Sequence, residues 1–453
     1  MYRRSNKWQR PQRPNLGLDA AAPPFGPPIE SIAIADLAKS ASKYSSSATV
    51  TDCEVLASYN WLDRAQPTMK VPGAPPRWTP LGAPRQLYED SGVYYRDKNA
   101  ARYASHPMEP AVRAILTMQP EAPSKEVDIV ACGSTLGNLL RFVRRDERPF
   151  RMLVEVVGNT VHLIRRENSP TATIPDVRGY GHTFPEAYTT WDADVRGSAS
   201  HQRILRYDFG GLGCIVRHEG DGYLKDRLGS TVQPKRERGA ADPVEDLVAS
   251  LADNNMTSKT PTTSSPLQML SGGLKVPQSA VFDLKTRSSI RRGRDFLGEE
   301  LPRMWVAQIP NFVLAYHNRG VFNDIEVIDV SSKLKAWERE QNNELSQLAA
   351  LLHRIVDVAQ ANHRLEIAHR VPGKLEVLKQ TPGLPALCSG GVLFKWIRWL
   401  GTAGTVMCSS VSSDGEYDSD VGGGDLGWSD SDKDDRDFTA CSQECSYCGR
   451  CTY

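Results

Sequence analysis

The strings 219-EGD-221 and 283-DLK-285 set charged side chains into otherwise apolar or β-prone runs. Cys214-Ile215-Val216-Arg217-His218 precedes the first and Ser279-Ala280-Val281-Phe282 the second. Alternate residues of a strand share a face. Glu219 and Asp221 are therefore expected on one side of one strand, and Asp283 and Lys285 on one side of another. If the two strands pair, three carboxylates and an ammonium converge. Oxygen donors of that kind suit Mg²⁺ or Mn²⁺, and a lysine beside the metal can orient a water for attack on phosphate. The chemistry is that of metal-dependent phosphodiester cleavage. The competing reading is two solvated strand faces, which chance supplies readily in a chain with 24% charged residues.

The elements that must carry these triplets can be read from periodicity and turn residues. Val127–Cys132 is expected as a strand and Thr135–Arg144 as a helix, with Leu136, Leu139, Leu140 and Val143 on one face. Gly158-Asn159 predicts a hairpin between 150–157 and 160–165, and Asn318-Arg319-Gly320 another between 312–317 and 321–330. A helix is expected over 109–118, a strand over 203–208, and a helix over 295–308 despite Pro302. Residues 333–360 carry a broad apolar stripe and predict one long helix. The sum is α+β, with a mixed or antiparallel central sheet flanked by helices.

Length and composition bound the rest. At 453 residues with 40% apolar content, 30 prolines and 35 glycines, part of the chain is expected outside a packed core. Residues 1–48 read as a basic, Pro-rich arm, 49–385 as one domain, and 386–453 as an acidic, Gly/Ser-rich tail. Within the domain, about 225–278 reads as a mobile insertion. No signal peptide or membrane span is read, since Lys395 and Arg398 interrupt the best apolar candidate, 392–407. Five scattered cysteines and four at the end suit the nucleus or cytosol better than a disulfide scaffold.

The order strand–EGD, strand–DLK, then a helix reaching Gln308 matches the PD-(D/E)XK nuclease core. The runs 127-VDIVACGSTLGNLLRF-142, 150-FRMLVEVVGNTVHLIRRE-167 and 303-RMWVAQIPNFVLAYHNRGVF-322 resemble the DXO family of RNA decapping and 5′-end-clearing nucleases. The resemblance spans roughly 120–330. It implies a metal set of Glu186, Glu219, Asp221 and Asp283, with Lys285, Glu219 and Gln308 in catalytic positions. It further implies divalent-metal cleavage at RNA 5′ ends and, for some members, a 5′→3′ exoribonuclease partner. Arg141, Arg144, Arg145, Arg165 and Arg166 are the expected RNA-gripping cations, with a solvated basic face as the alternative.

Three positions depart from the family pattern: Pro185 lengthens the Glu186 motif, Gly220 replaces a bulky apolar residue, and Asp283 replaces glutamate. The leading expectation is a metal-dependent hydrolase of RNA 5′ ends. The second is a catalytically inactive relative that binds RNA or scaffolds protein. Separately, Cys441, Cys445, Cys448 and Cys451 form a candidate Zn²⁺ set, set against a redox-sensitive or unstructured tail. The cluster 434-DDRD-437 lacks the second aspartate-rich motif that diphosphate chemistry needs.

Overall fold

Alternate residues along the central strands belong to two different cores. Ile129 and Ala131 join one apolar cluster and Val130 the other; Met152 and Val154 are divided in the same way from Leu153. Cys214 and Val216 likewise lie opposite Ile215. A sheet buried on both faces requires this pattern, and helices cover both.

A computed structural model describes residues 21–175, 177–229 and 265–401. The first strands are β1 (Pro28–Ala33), β2 (Val50–Leu62), β3 (Thr68–Gly73), β4 (Arg77–Trp78), β5 (Ile129–Cys132), β6 (Phe150–Val157) and β7 (Thr160–Arg165). Then follow β8 (Thr189–Thr190), β9 (Ser198–Phe209), β10 (Leu212–Glu219), β11 (Gly222–Tyr223) and β12 (Gln268–Gly273). The last are β13 (Val281–Ser288), β14 (Asn311–Asn318), β15 (Val321–Asp329), β16 (Arg364–Val371) and β17 (Lys374–Lys379). They form an eleven-stranded mixed sheet, β1-β17-β16-β6-β7-β5-β10-β9-β2-β3-β12, and a six-stranded one, β15-β14-β13-β11-β4-β8.

The helices are α1 (Ile34–Ser40), α2 (Lys98–Arg102), α3 (Glu109–Met118), α4 (Gly133–Val143), α5 (Thr183–Tyr188) and α6 (Phe296–Ala307). The chain adds α7 (Ser331–Glu340), α8 (Asn342–Asn362) and α9 (Gly390–Trp399). Helices α4, α6 and α8 pack on one face of the large sheet, and α3 and α9 on the other. None of the described helices is long and apolar enough to cross a membrane.

The α+β class expected from the sequence is the class of the structure, with two mixed sheets where one was expected. Three boundaries differ. Within the span read as an N-terminal arm, β1 pairs with β17 and Ile32, Ile34 and Leu37 are buried. Within the span read as an insertion, β12 pairs in parallel with β3. Beyond 386, α9 is part of the fold: Trp396 is fully buried and its indole N–H donates to His162 Nε2 at 2.9 Å. The long helix expected over 333–360 is two, divided at Gln341. Trp337 of α7 packs on Trp305 of α6, whereas Leu345, Leu348 and Leu352 of α8 are buried further along the core. The four C-terminal cysteines lie outside the described residues.

Candidate functional site

Strand β10 ends at Glu219, and the chain re-enters a sheet at Gly222, this time the smaller one. Glu219 and Asp221 therefore flank a crossing between sheets and do not share one strand face, which corrects the sequence expectation. Gly220 is the reason. Its amide donates to the His201 carbonyl at 3.0 Å, and a Cβ there would lie 3.2 Å from the His201 ring and 3.3 Å from the Arg203 Cδ. Gly222 is similarly constrained, because a Cβ would run into the Phe282 ring that pairs opposite it.

The antiparallel pairing of Gly222 with Phe282 brings the two acidic triplets together. Asp221 Oδ2 accepts from the Leu284 amide at 2.8 Å. Asp283 is buried and ion-paired with Arg303 of α6. Burial pushes the Asp283 carboxyl up to about 7; Arg303 and Lys285 oppose that rise and Asp221 adds to it. Glu300, one turn before Arg303, accepts from Arg303 Nε and from Arg287, each at 3.2 Å. Burial works against the Glu300 carboxylate, but Lys285, Arg303 and Arg287 outweigh it and hold its pKa below the ordinary value. Asp221, Asp283 and Glu300 are thus matched by Lys285, Arg287 and Arg303. Sequence reasoning missed Glu300 and Arg303, although their i,i+3 spacing in 299-EELPR-303 was the available signal.

This set does not fit the divalent metal that the resemblance implied. Among the described residues no group of three or more His, Cys, Asp or Glu side chains is arranged to hold a metal ion. Glu219 is ion-paired with Lys98 at 2.8 Å. Glu186 is on α5, because 181-GHTFPE-186 turns into a helix with Pro185 in its first turn, where proline is tolerated. Burial raises the Glu186 pKa, and the Asp90 carboxylate adds to the rise. Asp90 itself accepts from the His182 and Thr183 amides at the start of that helix. Gln308 is a left-handed helix cap (φ 49°, ψ 41°) whose side-chain amide donates to the Trp305 carbonyl at 2.5 Å.

A pocket opens where the parallel strands β5, β7 and β10 end, with Cys132 registered against Arg217. Ligands of open α/β sheets bind at such carboxyl ends. Glu219 and Asp221 line this pocket; Asp283, Lys285, Glu186 and Gln308 do not. Its cations are Arg96, Lys98, Arg165, Arg217 and Arg303, against Asp97, Glu219 and Asp221. Each member of that acidic trio is already engaged: Asp97 Oδ1 caps α2 through the Asn99 and Ala100 amides, Glu219 holds Lys98, and Asp221 Oδ2 accepts from the Leu284 amide. Arg217 is only 7% exposed, and its Nη1 has no hydrogen-bond partner. His218 Nδ1 donates to the Glu219 carbonyl at 2.9 Å, while its buried Nε2 has no partner. Burial pushes the His218 pKa down to about 3, so the ring is neutral and Nε2 is an acceptor.

Of the five arginines expected to grip RNA, Arg165 alone lines the pocket. Arg141, Arg144 and Arg145 lie at the far end of α4, where Arg141 donates to Asn138 and Arg144 stacks over Trp337. Eleven residues of helix, about 16 Å, separate that end from the pocket. Arg166 points elsewhere and is ion-paired with Glu366. Adjacent positions on a strand face opposite ways, which is why Arg165 and Arg166 part.

Residues 30–368 match the model of a family described as "Domain of unknown function (DUF8563)". No curated protein matches the chain. Among solved structures, S. pombe Rai1 is similar at 10% identity and a TM-score of 0.48, covering 78% of this chain and 99% of that one. Candida albicans Rai1 in complex with pU5-Mn²⁺ is similar at 9% and 0.47, covering 78% and 96%. K. lactis Dxo1 in complex with manganese is similar at 10% and 0.41, covering 75% and 92%.

Proposed function

The chain belongs to the DUF8563 family, a description that assigns no activity, and we propose from its pocket that it binds RNA 5′ ends without metal-dependent hydrolysis. The observation that carries this reading is the ion pairing of the acidic residues. Asp283 is held by Arg303 and Glu219 by Lys98, and among the described residues no three His, Cys, Asp or Glu side chains are arranged to hold a metal. Carboxylates paired with the protein's own cations have no need of a metal. Displacing those cations would expose them to the full cost of burial.

RNA as the polymer comes from the sequence resemblance; the pocket supplies what such a ligand needs. The arginines and the lysine that line the pocket are the side chains a phosphate chain needs. Tyr95 and Ile174 offer an apolar wall for a base. A nuclear or cytosolic location, and a 5′→3′ exoribonuclease as companion, accompany the reading as proposals.

A second reading, metal-dependent cleavage of the RNA 5′ end, is favoured by one observation: Asp221 and Asp283 are neighbours beside Lys285. One experiment separates the two. A five-nucleotide RNA is titrated with the protein in EDTA and in Mn²⁺, and the recovered RNA is sized. Binding in EDTA with intact RNA in Mn²⁺ supports the binding reading. Cleavage in Mn²⁺ that Asp221→Asn abolishes would establish the hydrolase. Failure to bind in either buffer would overturn both.

A further inference from the structure

We infer that Arg151 of β6 and Arg370 of β16 form a receptor slot for a Pro-Pro-aromatic-Gly peptide. In this structure the chain's own 23-PPFG-26 fills the slot, and the same motif on a protein partner is the ligand that would replace it. The slot stands apart from the pocket and from the RNA reading. Both guanidinium groups lie against the Phe25 ring, the Arg151 Cζ 3.8 Å and the Arg370 Cζ 3.9 Å from its centroid. Arg151 also donates from Nη1 to the Pro23 carbonyl at 2.6 Å and from Nη2 to the Pro24 carbonyl at 3.3 Å. Two residues beyond Phe25, the Pro27 carbonyl accepts from the Lys379 amide at 2.9 Å. Each of these hydrogen bonds uses a carbonyl of the segment, and proline supplies a carbonyl without an amide N–H that needs a partner. Glycine is required after the aromatic residue, because a Cβ on Gly26 would collide with the Lys379 carbonyl.

The slot does not depend on its occupant. Arg151 Nε donates to the fully buried Glu366, and Arg370 is held bidentately by Glu376 at 2.6 and 2.8 Å. Each guanidinium is therefore oriented and charge-compensated before any ring arrives, and such preorganisation lowers the cost of binding. The compensation also selects the class of ligand. With Glu366 and Glu376 matching the two arginines, the slot offers cationic faces to a ring and N–H groups to carbonyls, without an excess of positive charge. An uncharged Pro-rich segment suits that chemistry better than a phosphate chain. The resident segment is shallowly seated: Pro24 is exposed, and Pro23 and Phe25 are partly so. Pro-rich peptides are already extended in solution, so a partner's copy loses little entropy on docking.

The test titrates a fluorescently labelled peptide of residues 21–29 with the whole chain and reads anisotropy. In the wild type the tethered segment competes at a millimolar effective concentration. Phe25→Ala/Gly26→Val removes the ring and adds a side chain that cannot pass Lys379, which vacates the slot. That variant should bind the peptide about 10-fold or more tightly than the wild type. Phe25→Ala alone, at a partly exposed position, should show the same effect in smaller degree and guards against a folding failure in the double variant. Adding Arg370→Ala to Phe25→Ala should weaken binding by roughly 3- to 30-fold, the range of one cation–π contact. Unlabelled peptides carrying Phe25→Ala or Gly26→Ala should fail to compete.

Equal binding by the wild type and the vacated variants, no binding by either variant, or full competition by the Gly26→Ala peptide would each overturn the slot. Displacement of the labelled peptide by a five-nucleotide RNA, in an Arg370-dependent way, would make the slot a base-stacking site and overturn the peptide as its ligand.

Discussion

Arg303 of α6 is ion-paired with Asp283 of β13, and the two side chains are only 10% and 3% exposed. A guanidinium thus stands beside the carboxylate that the sequence reading had assigned to a metal. Removing one member of such a pair leaves an uncompensated buried charge, at a cost of about 3–5 kcal/mol. Arg303→Met should therefore lower the urea midpoint substantially, whereas Arg303→Met/Asp283→Asn should recover part of the loss. A double-mutant cycle with no coupling between the two would contradict the pairing.

The same geometry predicts indifference to divalent metal. A ligand that binds only the folded state raises its stability by mass action. The wild-type melting temperature should be the same in EDTA and in millimolar Mn²⁺. In Arg303→Ala, with Asp283 relieved of its guanidinium, Mn²⁺ should become stabilising. A Mn²⁺-dependent rise in the wild type that Asp221→Asn removes would mean that the acidic residues assemble a metal set after all.

Gly220 divides what the sequence made legible from what it concealed. Turn residues and alternation located the hairpins: β6 and β7 meet at Gly158-Asn159, and β14 and β15 at Arg319-Gly320. The neighbourhood of Asp221 and Asp283 arises otherwise than expected: β10, which ends at Glu219, pairs with β5 and β9, and only the two-residue β11 that follows Asp221 pairs with β13. Period-two reasoning failed where the chain changes sheets, since a glycine that looks like a weak strand residue marks the crossing. It also failed for Arg303 and Glu300, whose meeting with Asp283 depends on how α6 packs and not on local pattern. Gly220→Val, which restores the bulky residue of the related pattern, should then destabilise by about 1–3 kcal/mol through crowding of His201 and Arg203. Denaturation at the wild-type midpoint would show that the crossing has room to spare.

The last prediction concerns acid. His162 is fully buried, and its Nε2 accepts from the Trp396 indole, which requires a neutral ring. Burial pushes its pKa down from 6.5 to about 4. Below pH 6.5 the unfolded chain takes up the proton first, so the unfolded state binds more protons and stability falls as pH falls toward 4. The contribution at stake is about 3 kcal/mol, from roughly 2.5 pH units at 1.36 kcal/mol each. Asp283 acts with the opposite sign in the same window. Its raised pKa lets the folded state keep a proton that the unfolded state has lost, so its part of the stability declines as pH rises from about 4 toward 7. The two slopes offset in the wild type, and each emerges only by difference. His162→Gln retains an acceptor for Trp396 and does not titrate, so its stability should fall less steeply than the wild type's from pH 6.5 to 4. Asp283→Asn should fall more steeply over that range. Parallel curves for the wild type and His162→Gln, measured by urea denaturation at several pH values, would remove His162 as the acid-labile tie between α9 and the sheet.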